Sequence, residues 1–185
     1  MNQNNKIIKV YAYSSFYPYY EQYDTIIREC AVNLVVTIVA TFVVALVLLG
    51  FQVHAALCVM LSVTMCAVDM IGSLVYLDIP LNAISLVNLL LSVGIAVEFS
   101  ANIVQAFTTS KEVGRANKAR HALRKTGPAI VSGIAMTNFV GVIVLAAAKS
   151  QLFVVFYFRM FFTINVLCVA HTIIFLPAFL AFIGD

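Results

Sequence analysis

The sequence predicts an all-α membrane protein with about five transmembrane helices. Three observations carry that prediction. First, 63% of the 185 residues are apolar and only 10% are charged, against about 25% charged in a soluble domain. A globule of this size would leave much of its apolar surface in water, so lipid is the solvent that remains. Second, five apolar segments each reach the ~20 residues that cross the hydrocarbon layer at about 1.5 Å per residue. Third, the charge is not spread evenly: one segment holds six of the eleven basic residues.

Residues 1–10 are polar and basic and lack the apolar centre of a signal peptide. With Met1 as the start, the first span acts as its own insertion signal. Residues 11–23 hold six of the eight tyrosines and Pro18. Such rings collect where one side is wet and the other apolar, so residues 1–30 read as an interfacial segment; the packed end of a soluble domain is the alternative. The bundle then occupies 31–185, with spans at about 31–50, 55–77, 81–108, 128–148 and 153–183. The turns at 51–54, 78–80 and 149–152 are so short that the spans they join must be antiparallel neighbours. Gly127 and Pro128 are read as the start of the fourth span, since proline is tolerated in a first turn.

The connection at 109–127 carries Lys111, Arg115, Lys118, Arg120, Arg124 and Lys125 against the single acid Glu112. An excess of lysine and arginine marks a cytosolic loop, which puts the N-terminus in a lumen and the C-terminus in the cytosol. Val113, Ala116, Ala119, Ala122 and Leu123 form a weak apolar stripe opposite the charges. That pattern fits a short amphipathic helix on the anionic leaflet, and a plain topology signal accounts for the charges as well.

Ionisable groups at the bilayer centre cost roughly 2.5–3.5 kcal/mol, so each needs a partner or a function. Glu98 sits in the middle of the third span, one turn after Gly94. At about 100° per residue, Asn88, Ser92, Glu98, Asn102, Gln105 and Thr109 share one band of that helix. Glu98 either takes up and releases a proton to drive helix rearrangement, or stays protonated and hydrogen-bonds across helices. Asp69 in the second span either shares a proton with Glu98 or lines a cavity. Arg159 reads as a snorkelling anchor or an ion-pair member, and His171 as a hydrogen-bonded packing group or a relay member. Asn138 adds a polar group to the fourth span, and Pro177 kinks or ends the last one. Cys30, Cys58, Cys66 and Cys168 read as thiols packed as small apolar residues. No nucleophile–base pair, phosphate loop or metal-ligand spacing appears, so the sequence points away from an enzyme; no cofactor, metal or nucleic-acid partner is expected.

Several strings resemble the Niemann–Pick type C1 sterol transporters of the resistance-nodulation-division and Patched superfamily. They are Tyr13-Ser-Ser-Phe-Tyr17, Tyr20-Glu-Gln-Tyr23, Leu81-Asn-Ala-Ile-Ser-Leu-Val-Asn88, Gly94 with Glu98-Phe99, Ala148-Lys-Ser-Gln-Leu-Phe153, Phe156-Tyr-Phe-Arg-Met160, and His171 with Leu176-Pro177. The resemblance implies the last five helices of a longer permease, in its second helical repeat. It implies a sterol or related lipid as cargo, the rest of the transporter as partner, and a late endosomal or lysosomal membrane. Glu98 would be the proton-coupling acid, with Asn102, Asn138 and Asp69 as its neighbours. Three positions depart from the family pattern. Asn102 stands where histidine is common, Asn138 where lysine is common, and Asp69 where a neutral residue is expected. A Patched-like lipid-sensing module, or a piece without activity of its own, are the other readings that the resemblance allows.

Overall fold

The computed structural model describes residues 11–133, 140–147 and 149–183. In lipid every backbone N–H and C=O must find its partner inside the chain, which leaves helices as the solution for apolar runs of this kind. Among the described residues, four helices are long and apolar enough to cross a membrane. They are α1 (Tyr17–Leu48), α2 (Val53–Tyr76), α3 (Ala83–Thr108) and a continuous run, α6 (Phe153–Ile183). Between the last two lie α4 (Arg115–Gly133) and the short α5 (Val140–Ala146).

Two helix boundaries fall elsewhere than the hydropathy pattern places them. Helix α1 begins at Tyr17, well before residue 31, because Pro18 sits in its first turn and presets the helical φ where no N–H donor is needed. The tyrosines of 11–23 are exposed along this extension. The basic segment is also helical: α4 starts at Arg115 and runs through Gly127 and Pro128, which lie inside the helix and do not open it. Its stripe is only partly apolar contact. Ala119 and Ala122 are buried against the bundle, whereas Val113 is exposed. Of the expected span at 128–148, residues 134–139 and 148 lie outside the described ones.

The short turns are built by their end residues. Helix α1 closes with Phe51 N–H to Leu46 O (2.8 Å) and Gly50 N–H to Val47 O (3.2 Å), a Schellman cap with Gly50 at φ 64°. Helix α2 closes in the same way through Ile79 N–H to Leu74 O and Asp78 N–H to Val75 O, with Asp78 at φ 52°. Asn82 then starts α3 with a capping box. Its Oδ1 accepts from the N–H groups of Ile84 (3.0 Å) and Ser85 (2.9 Å), while Asn82 N–H donates to Ser85 Oγ (2.7 Å).

Helices α2 and α3 pack antiparallel, with Ser62 Oγ 3.4 Å from Ser100 Oγ in the interface. Helix α6 closes the other side. Val63, Met70, Leu89, Ile103, Ile164 and Leu176 from these three helices are essentially inaccessible. Helix α1 is peripheral: Val32, Val35, Val36, Val39, Val43 and Val47 face outward, as lipid-facing side chains do.

Helix α6 is not uniformly α-helical. Phe153–Arg159 and His171–Phe175 are π-helical turns. Pro177 supplies a reason for the second. It has no N–H to give the carbonyl four residues back, and its ring crowds that carbonyl. A wider turn relieves the clash, and Leu176 N–H bonds His171 O, five residues back.

Candidate functional site

The polar residues of α3 do not share one environment. Asn88 and Ser92 are 2% and 0% exposed and face into the bundle. Asn88 Nδ2 donates to Phe156 O (2.7 Å) in the first π turn of α6, and Ser92 Oγ donates to Leu89 O (2.6 Å). Glu98, Asn102, Gln105 and Thr109 are exposed on a neighbouring face. The single band expected from helical periodicity is thus split, because α6 covers one edge of it and leaves the other open.

Two hollows meet at Glu98. One is a cavity of about 560 Å³ between α3 and α4, lined by Glu98, Asn102, Gln105 and Thr109 on one side and by Lys125, Thr126, Ala129 and Ile130 on the other. Its volume falls in the range typical of small-molecule sites. The second, about 450 Å³, runs from Glu98 in the opposite direction along α3 and is lined by Val87, Leu90, Leu91, Gly94 and Ile95. Among the described residues, Glu98 is therefore the one on both walls. Gly94 keeps the apolar hollow open, for a Cβ placed there would touch none of the described residues within 4 Å.

The other expected residues are distributed differently. Asp69 does not reach Glu98. Ser62 lies opposite Ser100, so Asp69 is level with residue 93, about 7.5 Å from Glu98 along the axis. Its Oδ2 instead lies 3.1 Å from His171 Nε2. His171 Nδ1 is 3.0 Å from Leu167 O, so His171 is a hydrogen-bonded group with one contact across helices. Arg159 is exposed at the end of the first π turn, its carbonyl accepting from Thr163 Oγ1 (2.8 Å). Pro177 is buried in α6. Asn138 lies outside the described residues. Cys66 and Cys168 are buried thiols in contact, Sγ to Sγ 3.4 Å, between α2 and α6.

Sequence reasoning missed Lys125 and Thr126 as cavity residues, since Lys125 reads as topology signal and Thr126 carries no signal of its own. It also missed the Asp69–His171 contact, whose only trace was a pair of ionisable groups in two different spans.

Outward-facing apolar helices and a membrane-embedded acid between a polar and an apolar hollow define a multi-pass helical membrane protein. No protein-family model matches the chain. Its relatives are informative. The NPC intracellular cholesterol transporter 1 of Sus scrofa is 45% identical over 176 residues, 95% of this chain and 14% of that protein. The homolog 1b of Drosophila melanogaster is 41% identical over 182 residues, 98% of this chain and 14% of that protein. The human NPC1-like intracellular cholesterol transporter 1 is 38% identical over 176 residues, 95% and 13% respectively. Over nearly its whole length the chain is similar to these Niemann–Pick type C1-like proteins, and it spans about one seventh of their length, a match that fits a C-terminal portion.

Proposed function

We propose that this chain is the membrane portion of a transporter that moves cholesterol-like sterols out of an acidic compartment, the late endosome or lysosome. Glu98 is its proton-coupling acid. The observation that supports this reading is the position of Glu98 where the polar and apolar hollows meet.

A sterol is a rigid apolar body with one hydroxyl. The wall of Val87, Leu90, Leu91 and Ile95 suits the body, and Glu98 stands where the hydroxyl would end. With a proton bound, Glu98 is neutral and rests against apolar surface at little cost. Once ionised, it is drawn to the water, amides and Lys125 of the polar cavity. Alternation between those two states couples proton release to a change in the apolar hollow. Asn102, one turn away, offers hydrogen bonds but no proton, so exchange runs through water in the polar cavity; Asn138 is the further hydrogen-bonding neighbour in this reading. The relatives, named as cholesterol transporters, supply the class of cargo. Other parts of such a transporter cover the two open hollows. The basic helix α4 lies on the cytosolic side by the positive-inside rule.

The test places this segment in a whole relative and changes Glu98→Gln, which keeps size and hydrogen bonding but cannot ionise. Sterol is then expected to accumulate in acidic compartments, with protein abundance and location unchanged. Sterol clearance equal to that of the unmutated exchange protein overturns the assignment.

A further inference from the structure

We propose that Asp69 and His171 form a second proton-binding site, a clip between α2 and α6 that is closed with a proton bound and opens when the proton leaves. This goes beyond the Glu98 reading and does not depend on it.

Hydrogen-bond stoichiometry at the two ring nitrogens points to the proton. The carbonyl of Leu167 only accepts, so the 3.0 Å contact from His171 Nδ1 requires the hydrogen to sit on Nδ1. A neutral imidazole then presents a bare lone pair at Nε2. That atom faces Asp69 Oδ2 at 3.1 Å. Without a proton between them, an imidazole lone pair would confront an ionised carboxylate, and the contact would be repulsive. With both contacts made as hydrogen bonds, the pair holds one more proton, as imidazolium with carboxylate or as imidazole with carboxylic acid. Either way the pair is electrically neutral. Loss of the proton leaves one negative charge within the membrane-spanning helices and removes the only bond between the two side chains.

Three further features fit a clip. Helices α2 and α6 run in opposite directions, and each side chain leans towards the N-terminus of its own helix. The two therefore converge at the level of the Cys66–Cys168 contact. Asp69 is half-exposed, so the pair lies at the rim of the bundle where a proton can reach it, while the histidine is mostly covered. His171 also opens the π turn that precedes Pro177, and the next residue, Thr172, is 1% exposed with a hydroxyl that has no partner among the described residues. A turn that is incompletely satisfied at its own start is the place where α6 can rearrange.

Few other ionisable groups bear on the pair. On α2 they are Cys66, one turn away, Cys58 three turns away, and His54, Tyr76 and Asp78 at or beyond the ends of the helix. On α6 they are Cys168, one turn away, with Arg159 and Tyr157 three to four turns away. Helix α3 contributes Glu98 on its α4-facing side, and α1 carries Glu21, Asp24, Arg28 and Glu29 near its N-terminal end. The basic groups of α4 gather around the opposite end of α6, where Arg115 Nη1 donates to Phe182 O (3.3 Å). None of these replaces the proton between Nε2 and Oδ2. The sign follows: the clip holds at the acidic end and is lost as pH rises.

The test uses the full chain in lipid bilayers, with its native thiols kept. Nitrogen-15 NMR of labelled histidine reports the state of each ring nitrogen, and a His171→Gln sample assigns the signal. Spin labels introduced as genetically encoded residues at Tyr76 and Phe153 report the separation of α2 from α6. At acidic pH, Nε2 should share or carry a proton and the label distance should be short. On the alkaline side Nε2 should be bare and the distance longer. In Asp69→Asn the amide can donate to a bare Nε2 or accept from a protonated one, so the short distance should persist at every pH. A bare Nε2 at acidic pH, a wild-type distance that does not move with pH, or a distance change retained in Asp69→Asn each overturns the proposal. Transport is not measured, so failure here is distinguishable from failure of the Glu98 reading.

Discussion

Asn88, Gly94 and Glu98 follow one another along α3 and illustrate how far single residues can be read from the chain. All three belong to strings that suggested the family, yet their physical roles differ. Asn88 donates to Phe156 O and ties α3 to the first π turn of α6. Gly94 opens a hollow, and Glu98 stands at its end. Helical periodicity put Asn88 and Glu98 on one polar band, and it failed because it does not say which edge of a wide band a neighbouring helix covers: α6 covers the edge with Asn88 and Ser92, and Glu98 lies on the exposed edge. Gly94 offers a clean prediction. Gly94→Val adds a side chain into open space, so stability should stay within about 0.5 kcal/mol. Binding of a photoreactive sterol, measured by crosslinking to the exchange protein, should fall sharply because the branch occupies the apolar hollow. Undiminished crosslinking would show that this hollow does not hold the sterol.

Secondary-structure elements were legible in kind more than in extent. The apolar runs at 55–77, 81–108 and 153–183 correspond closely to α2, α3 and α6, since in lipid an uninterrupted apolar run has no alternative to a helix. The ends of α1 and α4 were misplaced because hydropathy marks where lipid stops, whereas a helix continues as long as its capping and packing allow. Pro128 illustrates this: it looks like a helix start, but Ala122, Gly127 and Ile130 pack the helix on both sides of it. The π turns left no periodic signal, and only Pro177 hinted at one of them. The tight α1–α2 turn yields a paired prediction. Gly50 has φ 64° in its Schellman cap, whereas Gly72 lies within α2, and at neither does a Cβ meet any described residue within 4 Å. Gly50→Ala should lower stability by roughly 1 kcal/mol through the left-handed backbone. Gly72→Ala should be neutral or raise it by up to about 1 kcal/mol. Thermal unfolding in detergent compares the two, and equal effects would contradict the cap.

For the whole molecule, the decisive feature is what the described helices leave uncovered. The three-helix core of α2, α3 and α6 is tightly packed, while Glu98 and both hollows lie on its outer side. The chain spans about one seventh of the length of its curated relatives, and in the proposed reading other parts of such a transporter cover that side. The sequence made the membrane class legible through composition and the family through specific strings. The meeting of two hollows at one acid was not legible, because it arises from the spacing of α3 and α4 in three dimensions. The most direct measurement of the central claim reconstitutes the exchange protein into liposomes and follows sterol movement with and without an imposed pH gradient. Gradient-dependent movement that a protonophore abolishes, and that Glu98→Gln renders indifferent to the gradient, is the predicted result. Sterol movement equal with and without the gradient would contradict it, as would a gradient dependence that survives Glu98→Gln.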